Sequence, residues 1–434
     1  MSKSVWIEGT EFPKYQKLQG KIKTDVLIIG GGISGILCSY FLKQSGVDTI
    51  LVEAGRICRG VTGNTTAKLT SQHGLIYDKM IQSVGKEMAG RYLEANEHAL
   101  EKYRQLAKKI YCDFEKKDSF IYSLSSRSKI EREVEALTQL GVAAEFCEDI
   151  SIPLSIRGAV KFPNQAQFNP LMFLLEIVKG LKIYEYTFIK DIAPHKAWSD
   201  EGEITADKII VATHFPFLNK HGSYFLKLYQ DRSYVIALKN AEDVHGMYMD
   251  EEKMGKSFRN YKDLLLIGGG SHRTGKAGGN WEELRAFAKQ YFPTAKEMYA
   301  WATQDCMSLD QIPYIGRYSK RTPDLFVASG YNKWGMTTSM VAAMLLSDLI
   351  IGKKNEWEEV FSPSRSILKP QLFINGVEAT KNLLTPTTKR CPHLGCALKW
   401  NPTEHTWDCP CHGSRFEKDG KIINNPATGN AKIK

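Results

Sequence analysis

The sequence predicts an α/β nucleotide-binding chain with an α+β second part, followed by a small all-β domain that holds a metal centre. Three observations predict it. A strand–glycine–helix–strand unit occupies residues 25–53. A second passage from glycine into a helix comes near residue 330. Four cysteines, with histidines beside them, crowd into residues 391–412.

The first unit begins with Asp25-Val-Leu-Ile-Ile29, a short apolar run that suits a buried parallel strand. A helical pattern follows from Ile33 to Ser45, then a second apolar run, Thr49 to Val52. Between strand and helix stands Gly30-Gly-Gly-Ile-Ser-Gly35, a Gly-x-Gly-x-x-Gly pattern in the context that gives it meaning. Gly30 allows the tight turn, Gly32 lets the backbone approach a pyrophosphate, and Gly35 lets helix pack on strand. Phosphates then sit on the helix N-terminus, where free N–H groups and the dipole favour anions. Glu53 ends the second strand eighteen residues past Gly35. A carboxylate there accepts hydrogen bonds from a ribose and opposes a 2′-phosphate.

After a polar loop, Gly55–Gly74, the pattern predicts helices over 87–110 and 129–140. Strands are predicted at 157–162 and 183–189, Ile209–Ala212 is a further buried strand, and 233–268 mixes strands with turns. Helices return at 281–290 and 335–351. Charged residues 352–364, punctuated by Pro363, read as a linker, and the texture changes beyond it to short strands and turn residues. A second glycine run, Gly268-Gly-Gly-Ser-His-Arg273, has Arg273 at the third glycine position, and no helical run follows at once. It is expected at a sheet edge of the second part, which argues against a cradle for a nicotinamide cofactor.

The glycine cradle alone does not separate FAD from NAD. Three features favour FAD. The cradle lies almost at the start of the chain. The small, polar loop Thr62-Gly-Asn-Thr-Thr-Ala-Lys68 is fit to lie along a flavin. Ala328-Ser-Gly330 leads into Trp334-Gly335-Met336-Thr337 and a helix, which offers a second helix N-terminus to the ring. On these residues the chain resembles the D-amino-acid oxidase and glycine oxidase family of FAD enzymes over roughly residues 20–355. The resemblance implies that Gly30, Gly32, Gly35 and Glu53 bind the ADP half, that Thr66 and Ala67 lie near the flavin, and that the backbone of Ile189 holds the adenine. Family enzymes place a substrate carboxylate with Arg or Tyr. Arg259 is a candidate clamp, with a surface arginine as the alternative. His73 is a candidate to face the ring, with a structural histidine as the alternative. His214 is expected near the ADP half in a structural role.

At the other end, Cys391-Pro-His393-Leu-Gly-Cys396 precedes Cys409-Pro-Cys411-His412-Gly-Ser414, and fifteen residues separate His393 from Cys409. Two loops that each give a thiolate and an imidazole suit a two-iron site with two Cys on one iron and two His on the other. A single tetrahedral zinc and a set of disulfides alone are the alternatives. The segments resemble the Rieske pattern. That resemblance assigns Cys391, Cys409, His393 and His412 to the metal and pairs Cys396 with Cys411 in a disulfide. It also makes Ser414 a hydroxyl donor to the cluster and Asn425-Pro-Ala427 the proline loop. Phe416 stands where high-potential members carry a tyrosine donor. The expected potential therefore lies below the top of a range of roughly −150 to +300 mV.

The whole chain is expected to comprise an FAD-dependent oxidoreductase region, 1–360, and a Rieske [2Fe–2S] domain, 361–434. The FAD-binding part would be about 20–80, 160–215 and 300–355; the substrate part would be about 81–159 and 216–299. In fold terms this is an α/β FAD-binding Rossmann-like domain with an α+β substrate domain, then a small all-β Rieske domain. The implied function is oxidation of a small amine or amino acid by hydride transfer to FAD, with electrons leaving singly through the cluster to an external acceptor. The alternative is a redox sensor or electron carrier without small-substrate turnover. A Rieske oxygenase would need a mononuclear iron held by two His and a carboxylate, and no closely spaced His pair with Asp exists outside the cluster motif.

Of 434 residues 58 are basic and 48 acidic, for a net charge of +10. Lysines are dispersed, which fits a solvated surface or a face for an acidic redox partner. Nothing points to nucleic acid. Met1–Lys23 has no apolar core of the signal-peptide kind. Val26–Leu42 is broken by four glycines, too interrupted for a membrane span. The expectation is a cytoplasmic protein.

Overall fold

The computed structural model describes residues 3–433. The apolar run near the N-terminus becomes the strand Gly20–Ile29, whose last four residues are buried. It lies at the centre of an eight-stranded sheet. Parallel partners are Gly202–Val211 on one side and Thr49–Val52 on the other, and Thr322–Ser329 and Lys182–Tyr184 extend the parallel set outward. A strand covered on both faces must be apolar on both, which is why Val26–Ile29 shows no alternation.

The helix Ile33–Gln44 packs against this sheet and against Gly335–Ile350. Small residues allow the two helices to approach closely. The hydroxyls of Ser34 and Ser339 lie 2.9 Å apart at the contact. Ile36, Leu37, Met340, Val341 and Leu345 around them are fully buried, and each contributes roughly 1.5–3 kcal/mol by leaving water.

A nine-stranded sheet forms the second layer system. Its long strands are Leu228–Lys239, Leu264–Arg273 and Lys296–Ser308. The helices Lys86–Ala107 and Arg127–Gln139 match the amphipathic patterns, each within a few residues. A four-stranded antiparallel sheet, Lys399–Asn424, makes the C-terminal unit.

Three expectations differ from what is observed. The strand at 183–189 is only Lys182–Tyr184, and Ile189 is buried just beyond it. Residues 352–364 are more than a linker, since a helical turn, Glu358–Phe361, buries Phe361 completely. The stretch after 364 is not only strands, because Pro370–Leu384 is a helix. The Gly268–Arg273 run ends a strand of the large sheet: Leu228–Lys239 pairs with it out to Arg273, but Ser257–Tyr261 reaches only Gly268, so Gly269–Arg273 has a strand neighbour on one side alone. Among the described residues no helix is long and apolar enough to cross a membrane.

Candidate functional site

The nucleotide cradle is built by the turn from Ile29 into the helix at Ile33. Gly30 has φ +116°, and a Cβ there would lie 2.4 Å from the Ala212 carbonyl oxygen. A Cβ on Gly35 would lie 2.0 Å from the Gly30 carbonyl oxygen. Both positions therefore demand glycine, and the helix starts with its N–H groups at an open turn. Gly32 is the N-cap and makes no side-chain cap bond; the Ile33 N–H donates to Thr62 Oγ1 at 3.0 Å, and the N–H groups of Ser34 and Gly35 behind it are those left for an anion.

Glu53 lies beside this turn. Its carboxylate accepts from the Gly31 N–H at 2.7 Å and the Gly55 N–H at 2.8 Å. Burial nonetheless holds its carboxyl above the usual range. A second buried carboxylate, Glu185, accepts from the Ile57 N–H at 2.9 Å and so shapes the loop after Glu53. The local pattern gave no sign of Glu185.

The loop 62–68 is held by its carbonyls. Trp301 Nε1 donates to Asn64 O at 3.0 Å and Trp6 Nε1 to Thr65 O at 2.7 Å. Arg259 Nη1 donates to Thr66 O at 3.0 Å and Ala67 O at 2.7 Å. Arg259 is not a surface arginine: it is fully buried, with Trp6 and Tyr261 rings near its guanidinium. Burial pulls it down to about 9. Its Nη2 is buried and has no partner. The neighbouring Lys68 is also buried, and burial followed by the Arg259 charge lowers it to about 7. Two basic groups thus share one buried setting, Lys68 at the end of the loop and Arg259 against its carbonyls.

His73 is buried beside the helix start at Gly335. Its Nδ1 meets the Tyr92 hydroxyl at 2.6 Å, and its Nε2 meets Thr70 O at 2.8 Å and Thr337 Oγ1 at 3.0 Å. The ring stacks on Trp334. Burial drops its pKa to about 3, so it is neutral. Every ring nitrogen is engaged by the protein, which is the arrangement of a histidine that positions Thr337.

In the C-terminal unit, Cys396 and Cys411 form a disulfide. Cys391 and Cys409 are free and buried. The rings of His393 and His412 are 4.9 Å apart. Burial lowers them to about 4 and about 3, which keeps both imidazoles neutral, the form that ligates metal. Nδ1 of each is buried and unpartnered. Two free thiols and two orphaned Nδ1 atoms are the donor set of a diiron–disulfide unit with mixed ligation, and the cysteine pair left over is taken up by the bridge. Ser414 Oγ accepts from the Ala427 N–H at 3.0 Å and ties the loop 425–427 to the site.

The other edge of each imidazole is satisfied by the large unit. His412 Nε2 lies 2.9 Å from Phe225 O, and His393 Nε2 lies 2.9 Å from Asn219 Oδ1. Phe215 presents its ring to both histidines at 6.0 and 6.4 Å. Asn425 Nδ2 donates to Thr213 O at 2.6 Å and Phe215 O at 2.7 Å. This segment, 212–225, leaves the strand Gly202–Val211 at Ala212, the residue that abuts Gly30. The cradle and the cysteine–histidine site therefore meet across one short loop, and His214 lies within it, half-buried with its Nε2 covered.

Arg273 explains the broken glycine run. Its Nε donates to Pro410 O and its Nη2 to Cys411 O, each at 2.9 Å. Gln230 Nε2 donates to His412 O at 2.7 Å, and Gln304 Nε2 to Gly413 O at 2.8 Å. Three strands of the large sheet thus hold the carbonyls of the second cluster loop. Sequence reasoning singled out Arg273 only as a failed glycine and had no signal for Asn219, Phe225, Gln230 or Gln304.

A glycine cradle, a carboxylate at the next strand end and a site of two thiols and two neutral imidazoles define a flavoprotein oxidoreductase with an iron–sulfur domain. The FAD dependent oxidoreductase family model matches residues 25–349 and the Rieske [2Fe-2S] domain model matches 364–433, and the chain belongs to that oxidoreductase family with a C-terminal Rieske domain. It is similar to the Rieske 2Fe-2S iron-sulfur protein YhfW of Bacillus subtilis (strain 168), at 36% identity over 97% of this chain and 95% of the relative. Two solved structures share the fold of the larger region. Glycine oxidase from Geobacillus kaustophilus superposes with a TM-score of 0.67 at 18% identity over 79% of this chain and 99% of its own. L-proline dehydrogenase from P. horikoshii gives 0.66 at 17% over 79% and 97%. The cofactors are FAD and a [2Fe–2S] cluster.

Proposed function

We propose that the protein dehydrogenates the C–N bond of a small amine or amino acid and delivers the two electrons singly to an external acceptor. In this chemistry FAD accepts a hydride equivalent from CH–NH as the nitrogen loses a proton, leaving an imine, and the Rieske cluster passes on one electron at a time. The observation that carries the reading is the loop 212–225, which abuts the cradle at Ala212 and meets both histidines at Phe215, Asn219 and Phe225. A cluster held there is suited to exchange electrons with its own flavoprotein region.

In this assignment Gly30, Gly32, Gly35 and Glu53 hold the ADP half, with Ile189 near the adenine. Thr66, Ala67 and the Gly335-Met336-Thr337 helix start lie along the flavin. Cys391 and Cys409 ligate one iron, and His393 and His412 ligate the other. The unpartnered Nη2 of Arg259 is the donor left over for a substrate carboxylate. His73, neutral and fully engaged, acts by fixing Thr337. The FAD part corresponds to the sheet around Gly20–Ile29, the substrate part to the nine-stranded sheet, and the Rieske unit to the chain beyond about residue 360. The compartment is the cytoplasm, and an acidic redox protein is a suitable acceptor for a chain of net charge +10.

The test is anaerobic mixing of purified holoprotein with a panel of amines and N-methyl amino acids. Flavin bleaching followed by reduction of the cluster, read by absorbance and electron paramagnetic resonance, is the expected result. A flavin that no amine reduces, in a protein whose redox state alters the binding of a protein partner, would replace this reading with that of a sensor.

A further inference from the structure

The helix Pro370–Leu384 is inside out. Its buried side chains are polar: Asn375, Glu378 and Asn382. Asn375 Oδ1 accepts from Arg273 Nη1 at 2.9 Å. Glu378 pairs with Lys276 and accepts from Asn382 Nδ2 at 2.8 Å. Arg273 is the same guanidinium that grips the second cluster loop, so these bonds fix which face of the helix looks outward. Rotation would leave a buried arginine nitrogen and a carboxylate without partners.

The outward face is apolar. Phe373 and Val377 are each 71% exposed and Leu384 is 76% exposed, with Ile374 and Leu368 exposed beside them. At 3.6 residues per turn, Phe373, Val377 and Leu384 fall on one stripe, with Thr380 between them and Lys381 along its edge. The stripe runs to the cluster. The Ala397 N–H donates to Asn382 O at 3.0 Å, and Arg390 Nη1 bonds both Leu383 O at 3.1 Å and Gly395 O at 2.8 Å. Leu394, between His393 and Gly395, is exposed there too. An exposed apolar surface of this kind marks a docking site.

Charge selects the occupant. From Ser366 to Lys399 there are five basic residues, Lys369, Lys381, Lys389, Arg390 and Lys399, and one acid, Glu378. That acid faces inward and is paired with Lys276. A second copy of the chain would oppose these cations with themselves. We propose that this face docks on the surface of a bilayer containing anionic lipids. The Phe373–Leu384 stripe enters the boundary between headgroups and acyl chains, and the lysines reach up to the phosphates. The helix has fifteen residues, too few to cross, and lies in the plane of the interface.

The test floats full-length protein, carrying both cofactors, with vesicles of phosphatidylglycerol and phosphatidylcholine or of phosphatidylcholine alone. Wild type should bind the anionic vesicles about tenfold or more tightly than the neutral ones. Phe373→Ser/Val377→Ser should weaken binding by about tenfold or more. Lys381→Glu should weaken it severalfold, an effect that fades at high salt. Flavin and cluster absorbance should be unchanged in both variants, since these side chains are exposed. Wild type that stays unbound, or a double variant that floats as wild type does, overturns the proposal. A dimer that the double variant abolishes, with no vesicle binding, assigns the face to a second copy and overturns it as well.

Discussion

Glu404→Gln should loosen the Rieske unit from the large sheet by about 3 kcal/mol, a magnitude that two routes give independently. The side chain of Glu404 is 2% exposed and takes a bidentate contact from Arg232, Nε to Oε1 at 2.7 Å and Nη2 to Oε2 at 2.5 Å. Arg415 Nη2 lies 3.0 Å from the same carboxylate. Arg232 belongs to the strand Leu228–Lys239, so the contact joins the two regions. Removing one partner of a buried pair costs roughly 3–5 kcal/mol, because the remaining charge stays buried alone. The second route is protonation. Burial works to raise the Glu404 carboxyl, but its bonds to Arg232 and the charges of Arg232 and Arg415 outweigh it and hold the group at about 2, against 4.5 in the free side chain. That difference corresponds to about 3 kcal/mol. The folded-state pKa is the lower one, so this stabilisation is present in full above about pH 5 and is lost as pH falls through 2. Thermal loss of the cluster's visible absorbance is the assay. The variant should lose it on the order of 10 °C earlier at neutral pH, and the gap to wild type should close towards pH 2. Arg232→Met/Glu404→Leu should recover most of the loss, because Asp408 still serves Arg415 at 3.1 Å. A change below about 0.5 kcal/mol for Glu404→Gln, the range of ordinary surface substitutions, would refute the reasoning.

Two further outcomes follow from the cradle and the flavin loop. Gly35→Ala places a Cβ 2.0 Å from the Gly30 carbonyl oxygen, so the turn must open; flavin content per chain should fall by about tenfold or more while the cluster's iron content is retained. Arg259→Lys keeps the charge but cannot both hold the two loop carbonyls and offer a fork to a carboxylate; KM for carboxylate-bearing substrates should rise by about tenfold with kcat less affected, and an equal rise for substrates lacking a carboxylate would assign Arg259 to the loop alone.

The two cofactor motifs were legible because their chemistry is contiguous in the chain. Gly30, Gly32 and Gly35 serve one turn. Cys391 with His393, and Cys409 with His412, each come from one loop, and short-range spacing alone brings such groups together. The long helix at 86–107 was legible because its burial repeats with the helix period, and the one at 335–350 because its apolar run is long and is buried on almost every side. What surrounds the motifs was not. Asn219 and Phe225 reach histidines more than 150 residues away in the chain, and one of these acceptors is a backbone carbonyl, which any residue type supplies. Arg273 looked like a spoiled glycine pattern until the strand Leu264–Arg273 was seen to end against Pro410 and Cys411. The helix Pro370–Leu384 marks the limit most clearly. An amphipathic pattern states that two faces differ, but which face turns inward depends on the partner waiting for it. Here that partner is a buried arginine and a lysine, so the polar face is covered and the apolar one is left to the outside.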